Sequence, residues 1–388
     1  MVLLSNICRL FCLATAAISS HLKTKDRGLP NWPESYIALG DSYAAGIGAG
    51  HYATSDNNSE VRKCGRFDGS YPSQVKDLLK SIRHFDFVAC SGDFIADLEK
   101  QYQILGNKRA QLVTLSISGN DFHFEDVIRG CIYNANWRGA LQSDSEKDRE
   151  CDNALRSTTA LVDGAKGADG KSVWTRYEEA VDRIVSERLS RTDPSLLIIT
   201  GYAQFFATPE DKNDTCHMKR FPTAAGYPVN ILRKKVRQEM NELVVKVNTQ
   251  IRKRIASRHP EYIRFLDIDE LFHAHRFCEP DEEYLVPGGA HDDSKNVYFI
   301  SLKTTLKESL LVPRDDRNYT ELVNWSQRIP SNERGPTGVL ASDLNALYSH
   351  LQKAAVFHPK TQGYCLTAMN IKDLVMDRWD DDLDRIDQ

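Results

Sequence analysis

Tyr36-Ile37-Ala38-Leu39-Gly40-Asp41-Ser42-Tyr43-Ala44-Ala45-Gly46 is the stretch on which the reading of this chain turns. A short apolar, β-prone run stops at Gly40-Asp41, a serine follows at once, and small residues continue through Gly46, Gly48 and Gly50. In an open α/β sheet the carboxyl ends of the strands are where ligands bind. A tight turn at such a place exposes the serine and leaves backbone N–H groups beside it. Taken alone, Gly-Asp-Ser would be an ordinary turn after a strand, so the rest of the chain must supply the context.

Four more runs have the same character: Phe85–Ala89, Leu112–Ile117, Leu196–Thr200 and Ile263–Ile268. With Tyr36–Leu39 they give five strands, each nearly continuous in apolar residues, as expected of strands covered on both faces. Helical spacing appears between them, over Tyr71–Ile82, Ile95–Leu105, Val173–Leu189 and from about Asn230 to Arg258. The last places Val236, Met240, Leu243, Val247, Ile251 and Ile255 on one stripe. Its basic residues Arg233, Lys234, Lys235, Arg237, Arg252, Lys253 and Arg254 read as a solvated face. Strands alternating with helices predict an α/β fold with a parallel, doubly wound sheet.

Two segments break this rhythm. Cys131–Lys171 is polar and contains Gly164, Gly167 and Gly170, and Glu279–Ser342 is rich in Pro, Gly, Asp and Asn. Both read as insertions, at about 131–171 and 279–342, in a single domain spanning residues 30–388. The second is a candidate rim or lid for a substrate. The acidic Asp380–Asp387 reads as a solvated tail.

Composition narrows the function classes. The 388 residues are 41% hydrophobic and 27% charged, with a net charge of −4, an ordinary globular balance. Without a basic excess there is nothing to neutralise phosphates, which argues against nucleic acid as a partner. Met1–Ser20, mostly apolar and ending in small residues, reads as a secretory signal peptide cleaved near Ala17–Ser20. Arg9 interrupts it, which leaves an uncleaved anchor as the alternative. No later stretch approaches the ~20 apolar residues that span a bilayer.

Beyond Ser20 the cysteines are Cys64, Cys90, Cys131, Cys151, Cys216, Cys278 and Cys365. In an oxidising compartment they would form disulfides with one left over. Sequence proximity suggests Cys64–Cys90, Cys131–Cys151 and Cys216–Cys278, leaving Cys365 free, although many pairings are open to six cysteines. The sequons at Asn57, Asn213, Asn318 and Asn324 fit a secreted glycoprotein. His273-Ala274-His275 near Cys278 is too sparse for a metal site, and Gly46-x-Gly48-x-Gly50 lacks both nucleotide-cradle spacings. No metal or cofactor is expected.

Chemistry collects at the strand ends. Gly40-Asp41-Ser42 follows the first strand, Ala89-Cys90-Ser91-Gly92-Asp93 the second and Ser118-Gly119-Asn120-Asp121 the third. Near the C-terminus comes Phe357-His358-Pro359-Lys360-Thr361-Gln362-Gly363. Neighbouring strands lie only ~4.8 Å apart, so three adjacent ends can converge. Singly, Asn120 and Gly92 would be turn residues and His358 a surface histidine; their order and placement argue for a joint site.

That constellation resembles the GDSL/SGNH hydrolase superfamily, with Ser42, Gly92, Asn120 and His358 at its four motif positions and tyrosine where the first motif often has leucine. It is most similar to secreted microbial esterases and lipases with a GDSY-type start, three disulfides and a late HP-x-x-x-G. Gly201-Tyr202 before Cys216, and Arg276-Phe277-Cys278-Glu279, look like that subgroup too. The resemblance implies a flavodoxin-like three-layer α/β/α sandwich around a mainly five-stranded parallel sheet, and the same sequential disulfides. It also implies a secreted serine ester hydrolase acting on a small-molecule or lipid ester. In such an enzyme Ser42 attacks the carbonyl and His358 is the general base. The N–H groups of Ser42 and Gly92 and the Asn120 amide hold the oxyanion. Gly92 suits that role because a missing Cβ lets a substrate approach.

The chain departs from the superfamily in one place. An acid usually stands three residues before the histidine, and here the position is Ala355. The subgroup resemblance suggests a main-chain carbonyl as the orienting group; Asp315, Asp316 or Asp343 are alternatives. The departure also motivates a rival, a non-catalytic glycan- or surface-binding protein on the same fold. A carbohydrate acetylesterase is the second rival. Asp41 and Asp121 read as braces of their turns.

Overall fold

The computed structural model describes residues 32–53, 59–132, 144–191, 194–208, 216, 231–279, 297–300 and 355–386. Met1–Ser20, the four sequon asparagines, Asp315, Asp316, Asp343 and most of the 279–342 segment lie outside these. In chain order come β1 Ser35–Gly40, α1 Ser42–Ala45, α2 Ser59–Lys63, α3 Tyr71–Leu78, β2 His84–Phe87 and, after a 3-10 turn Ile95–Asp97, α4 Leu98–Leu105. Then follow β3 Leu112–Ser116, α5 Phe124–Cys131, α6 Asp144–Val162, α7 Val173–Glu187, β4 Leu196–Thr200, α8 Lys234–Ile255, β5 Ile263–Leu266 and α9 Thr361–Ile386.

The five strands form one parallel sheet in the order β2-β1-β3-β4-β5. This is the flavodoxin-like order, and it reverses direction at β1, so the crevice beyond the β1 and β3 ends is the expected ligand site. Right-handed crossovers place α3 on one face and α4, α7 and α8 on the other. The contacts agree: α9 lies against α3, whereas α6 packs on α5, α7 and α8. The result is a three-layer α/β/α sandwich. Among the described residues no helix is long and apolar enough to cross a membrane.

Burial follows sheet position. β3 and β4 are buried along their whole length, and β1 is buried apart from Ser35. The edge strands β2 and β5 are only half covered, which corrects the expectation that all five are sealed on both faces. His84 and Asp86 in β2 are what an edge tolerates.

Three expectations change. The described part of the 131–171 segment is mostly the helix α6: it buries a narrow stripe of Cys151, Leu155, Thr158 and Val162, and the Cys131–Cys151 disulfide ties its second turn to the end of α5. The acidic stretch from Asp380 to Ile386 is the last part of α9 rather than a tail. That helix buries Tyr364, Cys365, Ala368, Ile371, Val375 and Arg378 at helical spacing. In α8, Arg237 is not on a solvated face. It is fully buried, donating to the carbonyls of Leu232 and Ala207 at 3.1 and 3.0 Å.

Disulfides Cys64–Cys90, Cys131–Cys151 and Cys216–Cys278 are all present. Cys365, expected to be the leftover thiol, is disulfide-bonded as well.

Candidate active site

The register puts Gly40 beside Ser116, so β1 and β3 end level and their following turns meet. Gly40 has a φ of +137°, and the Asp41 N–H donates to the Ser116 carbonyl at 2.9 Å. The chain then turns into α1. Asp41 caps it, its Oδ1 accepting the Tyr43 N–H at 3.0 Å. Ser42 is the first helical residue, so its own N–H has no partner in the helix, nor with any other described residue.

The β2 end is bound to the same place. The Cys90 N–H donates to the Gly40 carbonyl at 3.0 Å, and the Cys64–Cys90 disulfide anchors the turn from the other side. Gly92, exposed and at φ +86°, likewise has an unengaged N–H among the described residues. A Cβ on Gly92 would meet no atom within 4 Å. Its left-handed backbone, rather than a tight neighbour, is therefore what calls for glycine here.

Gln101, which no motif marks, stitches these turns together. Its Oε1 accepts the Gly40 N–H at 3.1 Å, while Nε2 donates to the Gly40 carbonyl and to Asp93 Oδ2, both at 2.8 Å. Asn120 joins from β3: its Nδ2 donates to the Asp93 carbonyl at 2.8 Å, which fixes the amide and leaves its second N–H uncommitted. Asp121 accepts the Ile95 N–H at 3.0 Å, bracing the loop after Gly92. Burial pushes the Asp93 and Asp121 carboxyls up to about 6.

Asp41 is only 2% exposed, and burial raises its carboxyl to about 7 against the opposing Tyr43 N–H. Tyr202 also reaches it. The Tyr202 hydroxyl donates to Asp41 Oδ2 at 3.5 Å and accepts the Gly119 N–H at 3.0 Å, linking the serine turn to the asparagine turn. Tyr202 is placed by a second unforeseen residue, Asn248 of α8. The Asn248 Oδ1 accepts the Tyr202 N–H at 2.9 Å and its Nδ2 donates to the Tyr202 carbonyl at 2.7 Å, standing in for a strand partner. No periodicity marks such single long-range contacts, but two asparagines seven apart on an apolar stripe, Asn241 and Asn248, were a usable signal.

His358 arrives just before α9. Its Nε2 lies 2.7 Å from Ser42 Oγ, and its Nδ1 lies 3.3 Å from the Val356 carbonyl. A carbonyl can only accept, so it selects the tautomer with the proton on Nδ1 and leaves Nε2 free to accept from serine. Burial pushes the imidazole down to about 4, opposed by the carbonyls of Val356 and Ala355. A neutral imidazole at Nε2 therefore persists well into acid.

This gives a pH expectation. kcat/KM for any reaction that uses His358 as base should stay level from neutral pH down to about pH 5 and fall below it. An acid limb near the ordinary histidine value of 6.5 would contradict it. The same displacement makes fold stability drop as pH falls from 6.5 towards about 4. Over that window the unfolded chain takes up the proton first.

His275 stacks on Tyr298 at 3.8 Å and Cys278 is bonded to Cys216, so this pair is structural.

The model of the GDSL-like lipase/acylhydrolase family matches residues 38–302. The chain belongs to that family. The GDSL match takes in Ser42, Gly92 and Asn120 and stops short of His358. Lipase 1 of Streptomyces coelicolor is 30% identical over 195 residues, which cover 50% of this chain and 62% of that relative. The chain thus spans less than two thirds of its length. The lipase of Streptomyces rimosus is 27% identical over 243 residues, 63% of this chain and 73% of the relative. Among solved structures, the extracellular lipase from Streptomyces rimosus superposes with a TM-score of 0.50 at 20% identity, covering 87% of this chain and 98% of that one. Phospholipase A1 from Streptomyces albidoflavus gives 0.51 at 21%, covering 88% and 99%. At such identities these two structures speak for the shared GDSL-hydrolase fold.

Proposed function

We propose that this GDSL-family chain is a secreted, metal-independent serine ester hydrolase working through an acyl-enzyme. The observation that carries the reading is the 2.7 Å contact between Ser42 Oγ and His358 Nε2, set beside two unengaged backbone N–H groups. His358 accepts the Ser42 proton as Oγ attacks the ester carbonyl. The oxyanion takes hydrogen bonds from the Ser42 and Gly92 N–H groups and the Asn120 amide. The imidazolium then protonates the departing alcohol, and water attacks the acyl-serine by the same route. The Val356 carbonyl fixes the tautomer, one of the tasks a triad carboxylate performs. Ala355 therefore does not by itself argue for a non-catalytic protein.

Lipid or general carboxylic esters are the substrate class we favour, supported by the Streptomyces lipases among the relatives and the phospholipase A1 among the structural neighbours. Secretion is supported by the disulfides and the extracellular lipase neighbour, and it would make the sequons candidates for glycosylation. We take residues 30–388 as one domain with two insertions.

The test is hydrolysis of short-chain, long-chain and acetylated-sugar esters by the wild type, with a fluorophosphonate probe to find the reactive residue. Turnover with labelling at Ser42 is expected. Labelling elsewhere refutes the site, and a preference for acetylated sugars replaces the lipid class with the acetylesterase rival. Within this scheme Asn120→Ala should lower kcat about 10²–10³-fold, the usual cost of one oxyanion donor. Steady-state kinetics on the preferred ester would check this.

A further inference from the structure

Tyr43 stands where the first motif often carries leucine, and nothing in the reaction as described uses it. It is 9% exposed and held at both ends. Its N–H donates to Asp41 Oδ1 at 3.0 Å, and its hydroxyl donates to the Phe357 carbonyl at 2.8 Å, across 314 residues of sequence. Its ring lies 4.9 Å from the His358 imidazole, tilted by 48°, and is backed edge-on by Tyr202 at 5.0 Å.

The segment it grips needs gripping. Phe357 has a φ of +63°, unfavourable for a bulky residue. It is packed among Phe205, Phe206 and Phe277 with centroids at 4.8, 5.5 and 5.5 Å. That conformation turns the chain so that Val356 presents its carbonyl to Nδ1 while His358 faces Ser42. The Val356 carbonyl, being neutral and two residues away on the same loop, can hold the imidazole only as well as the loop itself is held.

We propose that Tyr43 is the positioning residue of this site: adjacent to the nucleophile in sequence, it pins the base-bearing loop by its hydroxyl and the imidazole by its ring. It thereby sets the Ser42–His358 distance. One side chain thus registers both partners of the proton transfer, whereas a triad carboxylate holds only the imidazole. Burial pushes the Tyr43 phenol up, so it stays a donor throughout the range in which esters are assayed. The inference rests on the proposed serine hydrolase reading.

The experiment compares wild type, Tyr43→Phe and Tyr43→Leu as full chains. Turnover is measured on a short-chain ester, and the His358 ring nitrogens are followed by NMR in histidine-labelled protein, with His358→Gln to assign them. Tyr43→Phe keeps the ring and should fold. Its kcat is expected to fall about 10- to 100-fold, as for a small misplacement of a catalytic group, with KM within about twofold. The imidazole should titrate closer to the ordinary histidine value once the loop admits water. Tyr43→Leu, which also removes the ring, should lose more. A Tyr43→Phe protein with wild-type kcat, whatever its melting temperature, overturns the inference. Absence of Ser42-dependent turnover in the wild type overturns the hydrolase reading instead; the titration then decides alone, and an unchanged His358 titration refutes the anchoring.

Discussion

Ser42→Ala is expected to lower ester hydrolysis by about 10⁶-fold and to abolish fluorophosphonate labelling. The size follows from how nucleophile and base act as one unit: removing either costs nearly as much as removing both. What remains is the oxyanion site and binding, which alone give a small residual rate. The fold should be indifferent. The Ser42 hydroxyl bonds only to His358 Nε2 among the described residues, and both groups are partly exposed, so water can replace the lost partner. A change in unfolding free energy below about 1 kcal/mol is therefore expected. Loss of activity accompanied by a large loss of stability would mean that Ser42 is part of the scaffold and not its cargo.

Gly40→Ala should do the reverse, damaging the fold first. A Cβ at Gly40 would sit 2.2 Å from the Ser116 carbonyl oxygen and 2.9 Å from the Ala44 Cβ, at a φ of +137° that side chains avoid. Neither neighbour can yield cheaply. The Ser116 carbonyl is backbone of the central strand β3 and already accepts the Asp41 N–H, while Ala44 is fully buried in α1. Strain and overpacking together should cost about 4 kcal/mol or more. Urea unfolding would measure it, and a cost below about 1 kcal/mol would show that the β1–β3 junction is not closely packed.

The contrast between these two neighbours explains what could be read from the chain. Strands β1, β3 and β4 were legible because central parallel strands need uninterrupted apolar runs, and Met240, Leu243, Val247 and Ile251 outlined α8 because burial repeats with the helical period. Gly40, Ser42, Gly92 and Asn120 stood out as motif residues at strand ends, and His358 as the late motif histidine. The helix α6 did not, since its buried stripe includes a cysteine and a threonine among charged residues. Arg237, Gln101 and Asn248 escaped for a different reason. Each satisfies particular buried backbone groups, and a polar residue with one distant partner leaves no periodic trace. The Val356 carbonyl could be inferred only from a gap, the alanine at 355, because a main-chain atom has no letter in a sequence.

The separation of Ser42 from His358, 316 residues, has a consequence for the order of biosynthesis. A chain emerging from the ribosome presents Ser42 early, and the Gly92 and Asn120 turns soon after, since β1 to β3 are complete by Ser116. His358 is translated only after β5 and just before α9, the helix that packs on α3. Until His358 is in place, Ser42 has no imidazole beside it. Under the proposed lipid-ester reading, the cell's own acyl esters meet no working site until His358 has been made and seated beside Ser42.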